Sequence, residues 1–396
     1  MVFFANLGVN LRGCLCGVLQ YASAQPLDLL DLDKKSSFLN WKLASARKAF
    51  LDGHCLTNSD DFQPAKADIE RETRQVPESL LLDRRERPMI YTVTLNPALD
   101  RAITVERLLE DDTTRVLSEK HYAAGKGIDV SRVITELQGT TVALGLVGGY
   151  DGLQVEGLLI NAGVTISFTR ISGETRTNIL LKDKAGNRQY AISAAGPEIA
   201  ATEIAQLYQG ILAIQDMDYL VMSGSLPRGV SPSIYGQLIV AAHRKNAFTL
   251  LDADGRAMQE SVGFHPTCIK PNIHELSRLV GRTLEKELDI LSACNEVHDR
   301  GVPYVLASRG KEGLILSTRD LRLKARAPVV EVESTVGAGD SAVAGFVLAH
   351  SQGRSLAECL RLSCAAGAAT AMTPGTELCH RETVLDIIPQ VEVEEI

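Results

Sequence analysis

Several features that mark common protein classes are missing from this chain of 396 residues. No apolar run approaches the roughly 18–20 residues that cross a bilayer as a helix, so no membrane partner is predicted. The formal net charge is −8 and no basic stripe carries interleaved aromatic residues, which argues against a nucleic-acid partner. The glycine-rich loop of P-loop kinases, G-x-x-x-x-G-K-[ST], is also absent, and its absence disfavours that class.

Closely spaced cysteine pairs are scarce, although the chain has eight cysteines. No Cys-x-x-Cys occurs, and only Cys14 and Cys16 lie near each other. This spacing predicts neither a zinc site nor a disulfide framework, and it is typical of a protein of the reducing cytoplasm.

Residues 1–88 differ from the rest of the chain because they lack a clear alternation of strand and helix patterns. Charged residues dominate from Asp60 to Arg87. An apolar run at 14–19 weakly resembles a signal peptide, but the run is short and no basic residue precedes Arg12. We predict a poorly ordered N-terminal extension whose deletion leaves activity intact.

From Met89 onward, short apolar runs alternate with helical patterns. This alternation predicts an α/β sandwich of three layers, with a central, mostly parallel sheet that gathers ligands at the carboxyl ends of its strands. Strands are predicted at 90–95, 141–147, 218–223, 248–252, 304–307 and 313–317. Helices are predicted near 127–137, 151–162, 200–213, 232–245, 286–300, 340–351 and 355–371.

Three segments predict a second, small antiparallel sheet. Residues 101–105, 115–122 and 175–192 alternate apolar and polar side chains, with a turn at 183–187. We expect these strands, drawn from about 101–122 and 168–192, to form a lid. Closing a lid over a bound ligand would exclude water from the site.

Residues 334–346, Ser-Thr-Val-Gly-Ala-Gly-Asp-Ser-Ala-Val-Ala-Gly-Phe, carry the most specific functional signal. Gly337, Ala338 and Gly339 predict a tight turn into a helix, whose N–H groups and dipole create an anion site. Asp340 places a carboxylate in that site. The combination suits phosphoryl transfer: the carboxylate takes a proton from a hydroxyl while the N–H groups stabilise the moving phosphoryl group.

Two other interpretations of the same segment stay open at this point. Residues 337–342 match the loose dinucleotide fingerprint G-x-G-x-x-[GA], although that fingerprint normally follows the first strand of its domain. An acid in the turn would also repel a pyrophosphate. Alternatively, the segment could be a turn of purely structural importance.

Three early segments supply candidate residues for a sugar phosphate, each with a simpler interpretation beside it. Residues 96–100 end the first strand with an acid that could bind hydroxyls or form a turn. Residues 125–129 open a helix, where N–H groups and Lys126 could hold a phosphate, or Lys126 could be merely exposed. Arg176 could grip a phosphate bidentately or remain solvated.

Four later segments also end buried strands, with residues suited to a nucleotide. Residues 223–229 and 252–255 permit close approach of the backbone to a ligand. Residues 270–275 supply a lysine for phosphates and an Asn/Glu pair able to orient Mg²⁺ and its waters. Residues 308–313 suit a nucleotide or form a plain hairpin. Individually these signals are weak, and their common location at strand ends strengthens them.

Taken as a set, the motifs closely resemble the ribokinase/PfkB carbohydrate-kinase family, in its phosphofructokinase and tagatose-phosphate-kinase branch. The resemblance covers residues 89–390 and excludes the N-terminal extension. Its six matching segments are 94–97 with Asp100, 125–128, 175–178, 223–227, 270–272 with Glu275, and 334–341.

The resemblance implies a ribokinase-like fold whose β-sheet lid often also forms a homodimer contact. It implies transfer of the γ-phosphoryl group of ATP, with Mg²⁺, to a hydroxyl of a phosphorylated ketohexose. We expect fructose 6-phosphate to be the substrate, with fructose 1-phosphate and tagatose 6-phosphate as alternatives. A nucleoside kinase is disfavoured by Lys126 and Arg176, which suit a phosphate, and a non-catalytic sensor by the intact Asp340.

The resemblance also assigns roles to individual residues. Asp340 would be the catalytic base, and the N–H groups of Gly337, Ala338 and Gly339 the anion hole. Those expected to hold the sugar phosphate are Asp100, Gly125, Lys126, Gly127, Asp129, Arg176 and Asn178. Those expected to contact ATP are Lys270, Asn272, Ser308, Gly310, Gly313, Thr335, Gly337 and Gly339, with Glu275 serving the metal through water.

Three positions depart from the family's usual pattern. Asp129 stands where Asn is common, and a carboxylate near a substrate phosphate costs about 1–4 kcal/mol at 4 Å, depending on the local dielectric. Asp254 replaces a usual Ser, and Arg228 a usual Pro or small residue. These departures leave the choice of sugar open. The loop at 125–127 resembles 1-phosphofructokinases and tagatose-6-phosphate kinases, whereas residues 375–379 resemble the minor 6-phosphofructokinase.

Overall fold

Fourteen strands form two sheets in the computed structural model, which describes residues 88–396. The predictions about the N-terminal extension concern residues that lie outside this part of the chain, apart from Pro88. The strands are β1 (Ile90–Thr94), β2 (Ala98–Val105), β3 (Val116–Ala124), β4 (Thr141–Val147), β5 (Thr165–Arg170), β6 (Arg176–Asp183), β7 (Arg188–Ile192), β8 (Tyr219–Ser223), β9 (Phe248–Asp252), β10 (Cys268–Ile269), β11 (Tyr304–Ser308), β12 (Leu314–Ser317), β13 (Arg322–Arg326) and β14 (Glu392–Glu395).

The larger sheet has the order β14-β13-β12-β11-β10-β9-β8-β1-β4-β5. The strands from β11 to β5 run parallel, and β12, β13 and β14 add an antiparallel edge. The predicted mostly parallel sheet is therefore confirmed. Because β1 pairs with β4 on one side and with β8 on the other, the carboxyl ends of these strands open a crevice where ligands commonly bind.

Ten α-helices pack around this sheet in the described part of the chain, and the seven predicted helices are confirmed to within two residues at each end. The three that the sequence pattern missed, α5, α6 and α10, are eight, eight and seven residues long, too short for a clear helical period. The helices are α1 (Lys126–Glu136), α2 (Gly149–Asn161), α3 (Ala201–Ala213), α4 (Ile234–His243), α5 (Gly255–Val262), α6 (Ile273–Val280), α7 (Glu287–Asp299), α8 (Ala338–Ser351), α9 (Leu356–Ala371) and α10 (Arg381–Ile387).

Helices on both faces bury the central parallel strands, whereas the edge strand β5 stays partly exposed. Leu220 and Val221 are neighbours in β8, yet they belong to separate hydrophobic clusters, and Leu251 and Leu250 of β9 divide in the same way. Successive side chains of a strand point to opposite faces, so each strand contributes to both layers. Each fully buried aliphatic side chain stabilises the fold by about 1.5–3 kcal/mol, which makes this sheet a rigid platform for loops at its edge.

The second, small sheet is confirmed, with the order β3-β2-β6-β7. Its outer pairs are antiparallel, whereas the central pair, β2 and β6, is parallel. Residues 168–170 were expected in this sheet but belong to β5, which pairs with β4 in the larger one. Asp100 was expected at the end of the first strand and lies instead within β2, because the chain turns at 95–97 and starts the small sheet at Ala98.

Among residues 88–396, no helix is both long and apolar enough to cross a membrane.

Candidate active site

The N-terminus of α8 lies at the centre of the candidate site. Gly337 precedes the helix in the left-handed conformation, with φ +78°, which favours glycine. A Cβ at Gly337 would lie 2.5 Å from Cδ2 of Leu378, so the turn has no room for a side chain. Ala338, Gly339 and Asp340 form the first turn of the helix, which begins two residues earlier than predicted, and the first N–H groups have no partners within the helix.

Asp340 is a buried carboxylate in this first turn, with 8% of its surface exposed. Burial raises the pKa of Asp340 well above its usual range, and the charges of Asp252 and Asp129 raise it further. Nearby lysine charges oppose the effect only in part. A carboxyl group with a raised pKa is a better proton acceptor once ionised, which suits a general base.

Asp252 anchors two lysines next to Asp340. The Nζ of Lys126 lies 3.3 Å and the Nζ of Lys270 lies 3.4 Å from Oδ1 of Asp252, which is fully buried at the end of β9. Burial acts to raise the pKa of Asp252, but the two lysine charges outweigh burial and lower it. Asp252 therefore remains ionised, and it fixes both cations at the carboxyl edge of the sheet.

Sequence reasoning recognised the strand end at 252–255 but did not select Asp252 as a site residue. Its signal was its position at the end of the buried strand β9, as Ser223 ends β8 and Lys270 directly follows β10. The Oγ of Ser223 donates a hydrogen bond to Oδ2 of Asp252 at 3.2 Å. Only the order of strands across the sheet shows that these ends are adjacent.

The Lys270 ammonium also lies close to the first turn of α8. A Cβ built on Gly339 would be 3.5 Å from Nζ of Lys270. Lys270 is 4% exposed, so protein groups rather than solvent fix the position of its ammonium group. The structure thus brings a cation close to the N-terminal N–H groups of α8, as an anion-binding site requires; among these, the N–H of Ala338 makes a long hydrogen bond of 3.4 Å to the carbonyl of Thr335.

A second group of charged residues lies where the small sheet meets the crevice. Asp100 in β2 is buried, and its Oδ1 accepts a hydrogen bond from Nδ2 of Asn178 in β6 at 2.8 Å. These residues are direct partners in the parallel pairing of the two strands. Burial raises the pKa of Asp100, while the Asn178 hydrogen bond and the charge of Arg176 act in the opposite direction.

Arg176 is held by main-chain oxygens in this arrangement. Its Nη1 donates to the carbonyl of Ala194 at 2.7 Å, and its Nη2 donates to the carbonyl of Asn96 at 3.0 Å. Its Nε is buried and has no hydrogen-bond partner among the described residues. The guanidinium charge acts on Asp100, and the group retains one unused donor, which is compatible with the predicted contact to a phosphate.

The loop that opens α1 is shaped by two glycines packed on Thr94. Gly125 has φ +131°, and a Cβ there would lie 2.7 Å from Cγ2 of Thr94. A Cβ on Gly127 would lie 2.6 Å from Oγ1 of Thr94 and 2.8 Å from the carbonyl oxygen of Val93. Glycine is required at both positions because the helix enters directly against β1, and this contact directs the start of α1 to the crevice.

Asp129, in the first turn of α1, forms an ion pair within the same helix. Nη1 of Arg132 lies 2.9 Å from Oδ1 of Asp129 and also donates to the carbonyl of Ala123 at 3.0 Å. Burial raises the pKa of Asp129 to about 7, although Arg132 acts in the opposite direction. Sequence reasoning did not select Arg132, which lies one helical turn beyond the loop.

The residues predicted for ATP begin at the end of β10. Asn272 caps α6: its Oδ1 accepts from the N–H of Glu275 at 2.9 Å, and Oε2 of Glu275 accepts from the N–H of Asn272 at 2.8 Å. This reciprocal capping box explains why both residues are present. It occupies one oxygen of Glu275, and the carboxylate also lines a neighbouring cleft.

The neighbouring nucleotide segment joins β11 to β12. The N–H of Ser308 donates to the carbonyl of Pro271 at 2.9 Å, so this segment lies beside the end of β10. Gly313 has φ +91°, and a Cβ there would lie 2.0 Å from the carbonyl oxygen of Ala325, which gives it a structural role in the hairpin. A Cβ on Gly310 would meet open space, and Thr335 is exposed before α8.

A cleft of about 540 Å³ opens beside this cluster. Lys126 and Glu275 line it together with the loop at 224–227 and the start of α5. Asp254, one of the departures from the family pattern, lines the cleft and accepts two hydrogen bonds of 2.8 Å from Nη2 of Arg278. The volume suits part of a nucleotide or a sugar phosphate.

The residues at the cleft fit a magnesium ion that is held chiefly by phosphate oxygens and water. Within the described range, no group of three or more His, Cys, Asp or Glu side chains could bind a metal unaided. Glu275 contributes a single carboxylate at the cleft, and both oxygens of Asp252 are occupied by donors. Mg²⁺ commonly binds through one or two carboxylates plus substrate phosphates.

The topology argues against the dinucleotide interpretation of residues 337–342. That fingerprint requires a glycine turn directly between a strand and a helix. Here β13 ends at Arg326, and an irregular segment separates it from α8. The buried Asp340 would also place a negative charge against a pyrophosphate.

Comparisons with known proteins agree with this geometry. A model of the family described as "pfkB family carbohydrate kinase" matches residues 93–383. The chain is 32% identical over 309 residues to a "1-phosphofructokinase" of Borreliella burgdorferi, covering 78% of this chain and 99% of that protein. It is 35% identical over 288 residues to a "D-tagatose-1-phosphate kinase" of Bacillus licheniformis, covering 72% of this chain and 94% of that protein.

A solved structure gives the same result for the fold. The crystal structure of phosphofructokinase-2 from Escherichia coli in complex with fructose-6-phosphate matches with a TM-score of 0.72 and 30% identity. The match covers 76% of this chain and 99% of that one. It bears out the ribokinase-like sandwich and the small sheet that the sequence predicts.

Proposed function

The chain belongs to the pfkB family of carbohydrate kinases, and from that premise we propose that it transfers the γ-phosphoryl group of ATP to a hydroxyl of fructose 6-phosphate. At the coarser level it is a sugar-phosphate kinase, a phosphotransferase with a hydroxyl acceptor and ATP as co-substrate. The observation that carries the proposal is Asp340, a buried carboxylate in the first turn of α8 with two lysines fixed beside it.

Asp340 acts as the general base in the proposed reaction. Its ionised carboxylate accepts the proton of the attacking hydroxyl, and the hydroxyl oxygen forms a bond to the γ-phosphorus of ATP. The bond between that phosphorus and the bridging oxygen breaks, and ADP leaves with the electron pair. Because the pKa of Asp340 is raised towards neutral pH, the carboxylate is a stronger base for the hydroxyl proton than an ordinary aspartate.

The first turn of α8 stabilises the charge that moves during this step. The N–H groups at Gly337, Ala338 and Gly339 and the helix dipole face the transferring phosphoryl group in the proposal. Lys270, close to Gly339, adds a cation at the same point. Because Asp252 holds Lys270 before substrate binds, little reorganisation is needed in the transition state.

The sugar phosphate is proposed to lie between the small sheet and α1. Arg176 and Lys126 attract its phosphate, and the N–H groups at Gly125 and Gly127 complete the cradle. In the proposal, the carboxylate of Asp100 accepts hydrogen bonds from sugar hydroxyls, and the amide of Asn178 donates to them. Asp129 contributes to the same end of the site.

ATP is proposed to lie along the loops that end β10 and β11. Asn272, Ser308 and Gly310 line its path, with Gly313 and Thr335 at the margin. When bound, Mg²⁺ would neutralise charge on the ATP phosphates, with Glu275 orienting its waters.

The choice of sugar rests on resemblance rather than on a contact. The likeness of residues 375–379 to the minor 6-phosphofructokinase favours fructose 6-phosphate, as does the match to a phosphofructokinase-2 structure. Fructose 1-phosphate is the second candidate, because the similar Borreliella protein is named a 1-phosphofructokinase. Tagatose 6-phosphate remains an alternative through the loop at 125–127.

The test is release of ADP from ATP and Mg²⁺ with each of four acceptors, alongside Asp340→Asn. The acceptors are fructose 6-phosphate, fructose 1-phosphate, tagatose 6-phosphate and unphosphorylated fructose. We expect turnover on fructose 6-phosphate that the variant loses. Preference for fructose 1-phosphate would select the second candidate, and silence across the panel from folded protein would contradict the kinase proposal.

The small sheet is also proposed to form a homodimer, in a protein that we expect to be cytoplasmic. Its strands leave apolar side chains exposed: Val116 by 51%, Leu117 by 53% and Ile192 by 59%. A second copy would cover this surface. Light scattering after gel filtration is expected to give the mass of a dimer, and Leu117→Glu to give the monomer; a monomeric wild type would contradict the proposal.

A further inference from the structure

Asp129 and Arg132 form a salt bridge at the end of the site where the sugar phosphate is proposed to bind. Their side chains are 14% and 18% exposed, and the Nη1–Oδ1 distance is 2.9 Å. Arg132 is also tied to the carbonyl of Ala123 at 3.0 Å, at the end of β3. The pair is therefore held by two elements rather than free in solvent.

Charged groups from three other elements face this pair. Asp100 of β2 acts on Asp129 and is itself stabilised by Arg132 and by Arg176 of β6. The negative charge of Asp129 raises the pKa of Asp340 in α8. With all groups ionised, the carboxylates of Asp100 and Asp129 cancel the two guanidiniums, so this end of the site carries no net positive charge.

A sugar phosphate brings about two negative charges to this neutral arrangement at neutral pH. The charge of Lys126 is already shared with Asp252 at 3.3 Å. Protonation of Asp129 would leave Arg132 and Arg176 opposed only by Asp100, and would make the site cationic. The carboxylic acid could still accept the hydrogen bond from Arg132.

We propose that binding of a sugar phosphate draws one proton onto Asp129, so that the Asp129–Arg132 pair couples substrate affinity to pH. The proton comes from solvent and no bond other than O–H forms. The inference rests on the proposed function and adds a regulatory property of its sugar-phosphate site.

The state of Asp129 before binding supports this coupling. Burial raises the pKa of Asp129 to about 7, the charge of Asp100 adds to the effect, and Arg132 opposes it. An incoming phosphate adds negative charge and raises the pKa further. Between the free and the bound pKa, affinity for the sugar phosphate falls about tenfold per pH unit as pH rises, because the bound state holds one more proton.

The experiment measures proton uptake directly, without turnover. The full-length protein is titrated calorimetrically at pH 7.5 with fructose 6-phosphate and, separately, with fructose 1-phosphate, in two buffers of different ionisation enthalpy. We expect wild type to take up about 0.5–1 proton per ligand bound and Asp129→Asn to take up almost none. Asn keeps an oxygen that can accept from Arg132, so the fold is preserved.

Glu382→Gln is the matched control, because Glu382 is an exposed carboxylate in the first turn of α10. It removes the same charge and is expected to take up protons as wild type does. Equal uptake by wild type and Asp129→Asn would overturn the inference while turnover on a sugar phosphate upholds the kinase function. Failure of fructose 6-phosphate, fructose 1-phosphate and tagatose 6-phosphate alike to bind or react would overturn the kinase function and the inference with it.

A kinetic measurement supplies an independent result. The KM for the sugar phosphate is expected to rise between pH 7 and 8.5 in wild type, by up to about tenfold per unit, and to change much less in Asp129→Asn. A KM that rises equally in both would contradict proton uptake at this residue. The kcat of Asp129→Asn shows separately whether the substitution alters the phosphoryl-transfer step.

Discussion

The Nζ of Lys270 lies 3.4 Å from Oδ1 of Asp252, and the two side chains are 4% and 0% exposed. Asp252 ends β9, and Lys270 directly follows the neighbouring parallel strand β10. This buried pair fixes the cation that lies over the first turn of α8. Such pairs contribute little net stability when intact, but the loss of one partner is costly because the other charge stays buried.

Asp252→Ala is therefore expected to destabilise the fold by about 3–5 kcal/mol, since it strands the Lys270 ammonium. Chemical denaturation followed by circular dichroism measures the change. Asp299→Ala serves as the control: it breaks a 3.5 Å pair with Arg319 whose side chains are 75% and 63% exposed. That surface pair is worth less than about 1 kcal/mol. Equal losses in the two variants would contradict the role of Asp252.

Asp340→Asn is expected to lower kcat by at least about 100-fold, because the amide cannot accept the hydroxyl proton. Binding of ATP, measured by calorimetry, is expected to stay near normal. The variant's melting temperature at pH 8 is expected to be no lower than that of wild type, since folding raises the pKa of Asp340 and the ionised carboxylate costs stability above its unfolded pKa. Near-normal turnover would contradict the assignment of Asp340.

The pH dependence of kcat tests how neighbouring charges set the pKa of the base. Because Asp340 must be ionised, kcat is expected to fall as pH drops through its raised pKa. Lys126→Met removes a positive charge that lowers this pKa, so it is expected to move the acid limb of kcat to higher pH. Asp129→Asn is expected to leave the acid limb nearly unchanged, because Asp129 is already neutral in the proposed complex with the sugar phosphate. A shift to lower pH in Lys126→Met would contradict the electrostatic account of the base.

Substitutions of two glycines at the anion hole distinguish effects on kcat from effects on the stability of the fold. Gly339→Ala places a methyl group 3.5 Å from Nζ of Lys270, an ordinary contact, within a helical turn. It is expected to keep or slightly raise stability, by up to about 1 kcal/mol, because alanine favours the helix. It is expected to lower kcat, because the methyl occupies the space proposed for the phosphoryl group.

Gly337→Ala is expected to cost about 2 kcal/mol or more and to reduce kcat as well. Its φ is +78°, and the new Cβ would lie 2.5 Å from Cδ2 of Leu378. Gly353→Ala is the control at the other end of α8, with φ +69° and open space around the new Cβ. It is expected to cost about 1 kcal/mol and leave kcat unchanged. Thermal melts and steady-state kinetics distinguish the two.

Arg176→Ala is expected to raise the KM for the sugar phosphate by about 10–100-fold, the value of a hydrogen bond to a charged group. The KM for ATP is expected to change little. Arg176→Lys keeps the charge but cannot reach both the Asn96 and the Ala194 carbonyl, so an intermediate effect is expected. A change confined to the KM for ATP would contradict the placement of Arg176 at the sugar phosphate.

Most of the helices and strands could be predicted from the sequence, because local residue patterns determine them. The helix at 356–371 has its capping Ser355 and a long apolar pattern, and its bounds were predicted to within one residue. The short helices α5 and α6 were missed because eight residues hold barely two turns. Asp100 was placed at the end of β1 because Asn96-Pro97 marks a turn but does not show that the following residues start a strand of another sheet.

The sequence by itself determined the parallel sheet, the small sheet and the glycine turn before Asp340, since hydrophobic periodicity and glycine conformation are local properties. Only the tertiary structure decided which strand ends meet. It placed Lys126 and Lys270 on one buried carboxylate, Asp252, and set Arg132 against Asp129 beside Asp100. Burial and charge at these contacts depend on neighbours distant in sequence, and so do the raised pKa values of Asp340 and Asp129.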